Sequence, residues 1–212
     1  MRGRFITFEG PEGSGKSTQA MRLAARLKAR GLDVIGSREP GGTPTGEAIR
    51  ELLQHDSAGE TVCPETEVLL FAASRAQLVR RVILPALQRG AWVVSDRFAD
   101  STTAYQGYGR GFDVAKMLEI NAFATGDVVP DLTLLLDVDV ELGFDRLRQR
   151  VADAGERLDR IERESMAFHR RVREGYLELA RRWPHRFRVV STDAPQEDVH
   201  EQIWATLEGL LP

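Results

Sequence analysis

The chain has 212 residues, of which 42 % are hydrophobic and 29 % charged, a composition that supports one sizeable core and does not call for a second domain. The net charge of −3 argues against non-specific binding of nucleic acid, and no apolar run approaches the length of a membrane span. Cys63 is the only cysteine, which excludes an intrachain disulfide and suits a reducing compartment. We therefore expect one cytoplasmic α/β domain with neither nucleic acid nor a membrane as its partner.

The first chemical motif is a glycine-rich run, GPEGSGKS at residues 10–17. Residues 5–8 before it favour a short strand, and apolar residues at helical spacing follow it up to Gly31. In such a loop the backbone N–H groups close on phosphate oxygens, the lysine (Lys16) reaches the terminal phosphates, and the serine hydroxyl (Ser17) holds Mg²⁺. The predicted ATP-binding residues are Gly10, Pro11, Glu12, Gly13, Ser14, Gly15, Lys16, Ser17 and Thr18.

The next elements continue an alternation of strands and helices. Residues 32–36 favour a second strand, and a loop rich in turn-forming residues leads from it to a helix over 45–53. A long helix is predicted from Pro64 to about residue 84, where Pro85 either kinks or restarts it. Loops that follow parallel strands commonly hold ligands, so the loop after the second strand is a candidate binding segment.

Two residues on the long helix have the spacing of a base-binding pair. Phe71 and Arg75 are four residues apart and therefore share one helical face. An aromatic plane beside a guanidinium suits a base that stacks and accepts hydrogen bonds. A core phenylalanine with an arginine that extends to the surface explains the same spacing, and the pair alone does not decide between these interpretations.

Two buried-type strands each end in an acid. The strand over 91–95 is followed by Asp96 and Arg97, and the strand over 132–136 is followed by Asp137. Ligands bind at this end of a parallel sheet, so either acid could organise Mg²⁺. Asp137 has the alternative role of capping the helix that follows.

The remaining elements complete a sheet of five strands. A polar and aromatic segment over 100–110 carries too many hydrogen-bonding groups for plain core, and Asp159 with Glu162 resembles a capping box that opens a long helix. The alternation predicts a doubly wound, five-stranded parallel sheet with helices on both faces. The other predicted elements are helices over 113–125 and 140–150, a mobile turn over 151–158, a strand over 187–191 and a helix from Pro195.

Six blocks of sequence, taken together and in this order, resemble the thymidylate kinase family of P-loop nucleoside monophosphate kinases. They are FEGPEGSGKST, REPGGTPTGEAIR, LLFAASRAQ, SDRFADSTTAYQGYGRG, LDVDVELGFDR and RLDRIE, which span nearly the whole chain. One departure is Phe98, where the family usually has tyrosine. The resemblance implies a single P-loop kinase domain over 1–212 with a lid at about 146–158, a homodimer, and transfer of the ATP γ-phosphoryl group to dTMP in dTTP synthesis.

The resemblance also assigns roles around the base of dTMP. Phe71 would stack on thymine and Arg75 would bond its exocyclic oxygen. Thr102 and Gln106 would lie at the polar edge of the base. Tyr105 would sit against the sugar, where a 2′-hydroxyl would project, and so favour deoxyribose.

Around the phosphates, the resemblance assigns Arg97 and Arg50 to the phosphate of dTMP. Glu39 would lie near the acceptor phosphate and the metal, and Glu9 could act through the metal or a water. The predicted metal-side residues are thus Ser17, Asp96 and Glu9. Adenine would meet the loop at 191–195.

Catalytic charge is expected from the lid, because the P-loop offers Lys16 as its only cation. The candidates are Arg150, Arg157 and Arg148, in that order. Arg148 and Arg150 cannot both face inward from one regular helix, since residues two apart lie on nearly opposite faces. Lys16 and Arg97 complete the predicted catalytic set.

Two alternatives remain open at this point. One is another P-loop kinase, acting on a nucleoside or a different monophosphate. The other is a P-loop switch protein, because residues 56–59 match the loose DxxG pattern of switch loops. The switch is disfavoured by the lack of an Asn-Lys-x-Asp guanine reader.

Overall fold

The fold is built on one sheet of five parallel strands in the order β2-β3-β1-β4-β5. The computed structural model describes residues 3–55, 59–126, 128–155 and 157–211. The predicted sheet is confirmed in strand number and direction. The strands are β1 (Phe5–Glu9), β2 (Val34–Arg38), β3 (Trp92–Asp96), β4 (Leu132–Asp137) and β5 (Phe187–Ser191).

Helices connect the strands and cover the sheet. Two short π-helical segments, Val79–Ile83 and Thr103–Gly109, continue helices that precede them. Among the described residues, no helix is both long and apolar enough to cross a membrane. The α-helices are α1 (Lys16–Ala29), α2 (Pro44–Gln54), α3 (Pro64–Leu78), α4 (Leu84–Gln88), α5 (Ala99–Thr102), α6 (Val114–Thr125), α7 (Val140–Ala154), α8 (Met166–Arg182) and α9 (Gln196–Ala205).

The core lies on both faces of the sheet, because successive side chains of a strand point to opposite faces. Ile6 of β1 packs with Leu23 of α1 and Ile203 of α9 in one fully buried cluster. Phe5, the preceding residue, belongs to a second cluster with Leu78 of α3. The helices therefore cover two layers, as the doubly wound prediction requires.

In the first half of the chain, the structure corrects one prediction and refines another. The second strand begins at Val34 rather than at residue 32, because Leu32 belongs to the turn that closes α1, where its N–H donates to Leu27 O. Pro85 does restart the long helix. It follows a π-helical segment in which the N–H of Leu84 donates to Val79 O, five residues back. This wider turn adjoins the position where proline has no N–H to donate.

The polar segment over 100–110 is helical and largely buried. It forms α5 and the second π-helical segment, which packs against α8. Thr102, Tyr105 and Gln106 are each 5 % exposed or less. Polar side chains can lie here because neighbouring charged groups satisfy them, which is described below.

The lid region is more regular than the sequence indicates. Helix α7 runs to Ala154 and ends at Gly155, which has φ +66°, so 151–154 are helical rather than a mobile turn. The predicted capping box exists, since Asp159 accepts from the N–H of Glu162 and Glu162 accepts from that of Asp159. It closes a single turn, however, and Ser165 caps the long helix α8 instead.

A close backbone contact fixes the P-loop against α7. A methyl group added at Gly143 of α7 would lie 2.4 Å from the carbonyl oxygen of Glu12. One added at Gly13 would lie 1.9 Å from the carbonyl oxygen of Gly143. Real side chains essentially never approach that closely, so both positions require glycine. The P-loop and the first turn of α7 are thereby held in register.

The variant Gly143→Ala tests this contact. We expect its free energy of unfolding to fall by about 1–3 kcal/mol, the usual cost of overpacking a tight interior. We also expect weaker nucleotide binding, because the P-loop must move away from α7. Gly36→Ala is the matched control, since Gly36 has no atom within 4 Å of the added methyl. Denaturant unfolding measures the stability of both variants. Equal free energies of unfolding for Gly143→Ala and Gly36→Ala would show that the close contact at Gly143 does not exist.

Candidate active site

One cavity of about 1250 Å³ opens at the carboxyl ends of the central strands. The P-loop forms one wall, and helix α3 with the segment after β3 forms the opposite wall. Six of the predicted site residues do not line this cavity, namely Gly10, Pro11, Glu9, Arg75, Arg148 and Arg157. The predicted residues that do line it are Glu12, Gly13, Ser14, Gly15, Lys16, Ser17, Thr18, Glu39, Arg50, Phe71, Asp96, Arg97, Thr102, Tyr105, Gln106 and Arg150.

Lys16 lies at the first turn of α1, 6 % exposed. Its Nζ donates to the carbonyl oxygen of Pro11 at 2.7 Å and to Ser14 Oγ at 3.2 Å. Burial, helped by the nearby positive charge of Arg97, lowers the pKa of Lys16 to about 8, although the Glu12 carboxylate opposes the shift. The amine is therefore poised for an anionic ligand that would restore its proton affinity.

Arg97 joins the P-loop to the opposite wall. Its Nη2 donates to Glu12 Oε1 at 2.6 Å and to the Tyr105 hydroxyl at 3.1 Å. The backbone of Arg97 has φ +71°, the only positive φ of a non-glycine residue in the described parts of the chain. The N–H of Arg97 donates to Phe8 O at 2.9 Å, which holds this conformation. The turn directs the guanidinium back into the cavity.

Glu12 carries the negative charge of this pair. Burial alone would raise its pKa, but the positive charges of Arg97 and Lys16 outweigh burial, and the pKa of Glu12 falls to about 2. The Tyr105 hydroxyl donates to the same Oε1 atom at 2.6 Å. Glu12 is thus an ionised P-loop acid that faces the acceptor side of the cavity.

Glu9 lies behind Arg97 rather than on the cavity wall. Its Oε1 accepts from the N–H of Phe98 at 2.8 Å, and its Oε2 accepts from Ser101 Oγ at 2.6 Å and Tyr176 Oη at 2.9 Å. Burial raises the pKa of Glu9 to about 7. Both carboxylate oxygens are engaged, so the structure offers Glu9 as a support for Arg97 more directly than as a metal ligand. Ser101 lies in the polar segment over 100–110, but its contact with Glu9 and that of Tyr176 join residues far apart in the chain, which local patterns do not predict.

Of the two acids that end strands, Asp96 suits a cation. The hydroxyl of Ser17 donates to Asp96 Oδ2 at 2.5 Å, and Asp96 Oδ1 is buried without a hydrogen-bond partner. Asp137 is instead held by Arg173 through two bonds of 2.8 and 3.0 Å. It does not cap α7 either, because Asp139 accepts from the first turn of that helix.

A magnesium ion fits the Ser17 and Asp96 oxygens chemically. Mg²⁺ prefers hard oxygen ligands and is commonly bound by one or two carboxylates with water and substrate phosphates. The unsatisfied Oδ1 of Asp96 is such a ligand. Within the described ranges, no group of three or more His, Cys, Asp and Glu side chains is arranged to hold a metal by itself.

The wall opposite the P-loop contains the predicted base-binding residues. Phe71 is half-buried on α3, and Thr102, Tyr105 and Gln106 are buried on the segment after β3. Arg50 on α2 donates to Pro40 O at 3.0 Å and lines the same cavity. An aromatic face, two neutral polar groups and a hydroxyl thus surround a pocket that can take a planar base.

Arg75 lies one layer behind that wall, 1 % exposed. It bonds Glu39 through Nε at 2.8 Å and Nη2 at 2.6 Å, and Nη1 donates to Thr102 at 3.1 Å and Asn121 at 2.7 Å. Nη2 also donates to Phe98 O at 3.2 Å. These contacts use the five donors of a guanidinium. Arg75 therefore orders Glu39 and Thr102, and a direct bond from Arg75 to a base stays a prediction.

Glu39 brings a carboxylate to the cavity from the loop after β2. Its Oε1 is buried without a hydrogen-bond partner. Burial raises the pKa of Glu39, and the ion pair with Arg75 opposes that rise. This oxygen is available to a ligand.

Arg148 and Arg150, two of the predicted lid arginines, point to different sides of α7, as their spacing of two residues predicts. Arg150 lines the cavity and donates to Glu162 Oε1 at 2.9 Å, whereas Arg148 is largely exposed and pairs with Asp145. Arg157 is exposed and does not line the cavity. Glu156 lies outside the described residues.

Arg146 is a cavity residue that the sequence analysis missed. It lies one turn before Arg150 on α7 and donates to Thr192 O at 2.9 Å. Thr192, Ala194 and Pro195 line the same end of the cavity. The spacing of four residues from Arg150 was the signal that could have found it.

The fold and the site define a P-loop phosphotransferase. A sequence model of the family described as thymidylate kinase matches residues 8–203. The chain belongs to the thymidylate kinase family, which confirms the predicted fold and class of enzyme and disfavours the switch alternative. The DxxG residues 56–58 lie outside the described residues.

Relatives match over nearly their whole length. The thymidylate kinase of Thermomicrobium roseum is 53 % identical over 207 residues, which are 98 % of this chain and 95 % of the relative. That of Carboxydothermus hydrogenoformans is 51 % identical over 210 residues, 99 % of both chains. A crystal structure of thymidylate kinase from Ehrlichia chaffeensis is 34 % identical, with a TM-score of 0.79, covering 98 % of this chain and 100 % of the other.

The pKa of Lys16 leads to a pH dependence of nucleotide binding. At pH 8 the amine is half protonated, and a bound polyphosphate raises its pKa, so ATP binding takes up about half a proton per site from the solvent. Uptake grows at pH 9, and the affinity for ATP falls as the pH rises above 8. Calorimetry in buffers of different ionisation enthalpy measures the uptake. Lys16→Arg is the control, because its guanidinium keeps its proton. No uptake at pH 8 and 9 would contradict the pKa.

Proposed function

We propose that the protein transfers the γ-phosphoryl group of ATP to dTMP, which gives dTDP and ADP for the synthesis of dTTP. The observation that carries the proposal is one cavity with a P-loop at one side and a wall of aromatic and neutral polar side chains at the other, joined by Arg97. Family membership supports the same reaction.

ATP would lie with its phosphates in the P-loop and its adenine against the 191–195 loop. Lys16 holds the terminal phosphates, and the backbone N–H groups at the start of α1 add positive potential. Mg²⁺ is the proposed cofactor: Ser17 and Asp96 would hold it, and it would neutralise phosphate charge. Arg146 lies at the adenine end, where it also orders Thr192.

The phosphate of dTMP would lie between Arg97 and Arg50. Thymine stacks on Phe71 with Thr102 and Gln106 at its polar edge, and Tyr105 lies against the sugar. Glu39, whose Oε1 has no hydrogen-bond partner, lines the same cavity. Arg75 contributes through Glu39 and Thr102, which it holds by hydrogen bonds.

Transfer proceeds in line, from ATP to a phosphate oxygen of dTMP. Such a reaction needs positioning and neutralisation of charge rather than a protein nucleophile. Lys16 and Arg97 supply fixed cations on the two sides of the transferred group. Glu9, Ser101 and Tyr176 keep the Arg97 guanidinium in place.

A coupled assay with several substrates tests the reaction. We expect turnover of ATP to depend on dTMP, and dTMP to exceed other nucleoside monophosphates and nucleosides in kcat/KM. Turnover of GTP in place of ATP is also measured, with and without dTMP, to distinguish the kinase from the switch protein. Turnover without an acceptor, or preference for another acceptor, would support one of the alternative enzymes instead.

We propose that the lid supplies the further cation through Arg150. Helix α7 places it on the cavity wall, one turn from Arg146, and Glu162 holds its guanidinium. Arg157 ranks second, since it lies beyond the Gly155 turn that could close over ATP. Arg148 ranks last because its side chain is directed to solvent.

The lid assignment is tested by replacing each arginine with alanine. Arg150→Ala should lower kcat by a factor on the order of 10³, because an arginine engaged mainly in the transition state adds little to ground-state binding. Arg148→Ala is the control from the same helix and should stay within about threefold of normal kcat. Normal kcat in all three single variants and in the triple variant would show that the charge comes from elsewhere.

We propose that the enzyme is a homodimer, as the family resemblance implies, and that it works in the cytoplasm, the reducing compartment that its single cysteine suits. Support comes from large apolar side chains exposed on two helices that pack against each other, Leu69 on α3 at 60 % and Phe123 on α6 at 89 %. Side chains of this size and exposure are common at protein interfaces.

Sedimentation equilibrium tests the dimer. We expect a mass about twice the 23.7 kDa of one chain for the wild type. Phe123→Glu should shift the protein toward the monomer, because it places a charge in the apolar contact. Met21→Glu is the matched control, since Met21 is 67 % exposed on α1, away from those helices. A wild-type monomer at micromolar concentration would contradict the proposal.

A further inference from the structure

Glu67 is a buried acid beneath the base pocket that the mechanism does not use. It lies on α3, one turn before Phe71, and is 1 % exposed. Its Oε2 accepts from Arg110 at 3.0 Å and pairs with Arg160 at 2.7 Å. Its Oε1 accepts from Gln106 Nε2 at 2.8 Å. Two arginines thus keep this carboxylate ionised, and one of its oxygens reaches a residue of the pocket wall.

The ionised carboxylate fixes the orientation of the Gln106 amide. A carboxylate only accepts hydrogen bonds, whereas an amide has one face that donates and one that accepts. The NH₂ group of Gln106 must therefore point to Glu67, and its carbonyl oxygen must point elsewhere. In the described part of the chain no group donates to that oxygen, and Gln106 lines the cavity. At position 106 the pocket thus presents an acceptor and not a donor.

We propose that Glu67 makes the pocket select a pyrimidine that carries a proton at N3, by locking Gln106 with its carbonyl oxygen toward the base. The inference rests on the proposed function, in which Gln106 meets the polar edge of thymine. Thymine and uracil have an N3–H donor, which matches the oxygen. Cytosine has an unprotonated N3 acceptor, which would face the Gln106 oxygen with no proton between them. Glu67 is a positioning residue, since it touches Gln106 and not the substrate.

The size of the effect follows from the cost of an unmatched polar group. A site built around one hydrogen-bonding pattern rejects a base with the wrong pattern by a factor on the order of 10² to 10⁴, because buried acceptors are left unpaired. A Gln106 amide free to turn could donate to N3 of cytosine instead. Loss of the hydrogen bond between Glu67 and Gln106 should therefore reduce the preference for dTMP over dCMP, and not merely weaken the binding of both.

The experiment measures kcat/KM for dTMP, dUMP and dCMP in the wild type and in Glu67→Gln. A neutral amide at position 67 accepts either orientation of Gln106. We expect the dTMP to dCMP ratio to fall at least tenfold, while the dTMP to dUMP ratio and the KM for ATP stay within about twofold. If Glu67 had a merely structural role, its replacement would lower kcat/KM for all three acceptors together and leave both ratios unchanged.

Two further variants separate base selection from the loss of charge pairing. Glu164→Gln removes the other ion-pair partner of Arg110, whose contact is 2.5 Å, and leaves the bond between Glu67 and Gln106. It should keep the wild-type ratio. Glu67→Asp keeps the charge for the arginines but withdraws the carboxylate from Gln106, so it should lower the ratio even if Glu67→Gln does not fold.

A double variant completes the test. In a Gln106→Met background there is no amide to orient, so adding Glu67→Gln should leave the dTMP to dCMP ratio unchanged. An unchanged dTMP to dCMP ratio in folded Glu67→Gln or Glu67→Asp would overturn this inference but leave the proposed function standing. A wild-type enzyme that does not phosphorylate dTMP would overturn the proposed function as well, which the same assay shows first.

Discussion

The ion pair between Arg97 and Glu12 is the contact on which the arrangement of the site depends. It joins the end of β3 to the P-loop and so sets the distance between the ATP side and the acceptor side of one cavity. A left-handed backbone costs a non-glycine residue about 1–2 kcal/mol. Bonds from the Arg97 side chain to Glu12, Tyr105, Ser101 and Tyr176 hold it in that conformation. A strained turn thus directs a cation into the cavity, which is the basis of the catalytic role proposed for Arg97.

Buried charges form a second layer behind the residues that line the cavity. Arg75 with Glu39, and Glu67 with Arg110 and Arg160, are pairs in which a carboxylate is almost wholly buried. Such pairs add little stability in themselves, but the loss of one partner leaves an uncompensated charge, which costs about 3–5 kcal/mol. Their role here is positional. Thr102 accepts a hydrogen bond from Arg75, and Gln106 donates one to Glu67, so these buried pairs order the wall of the proposed base pocket.

Local patterns predicted the parts of the molecule that depend on neighbours in sequence. The P-loop, the strand ends that carry Asp96 and Arg97, and the last strand at Phe187–Ser191 are set by short-range spacing. The sequence could not show that Arg173 occupies Asp137, 36 residues away, or that Glu67 binds Gln106, 39 residues away. The single turn at Asp159 depends on tertiary packing, which overrides the local capping signal, whereas α7 ends at the local signal of Gly155.

The central claim is that one cavity brings ATP and dTMP together for direct transfer, without a phosphorylated protein group. The stereochemistry at the transferred phosphorus tests it most directly. With an ATP analogue whose γ-phosphorus is chiral through oxygen isotopes and sulfur, a single in-line transfer inverts the configuration in the dTDP analogue. We expect inversion. Retention would require two successive transfers through a covalent intermediate on the protein, and it would contradict the account.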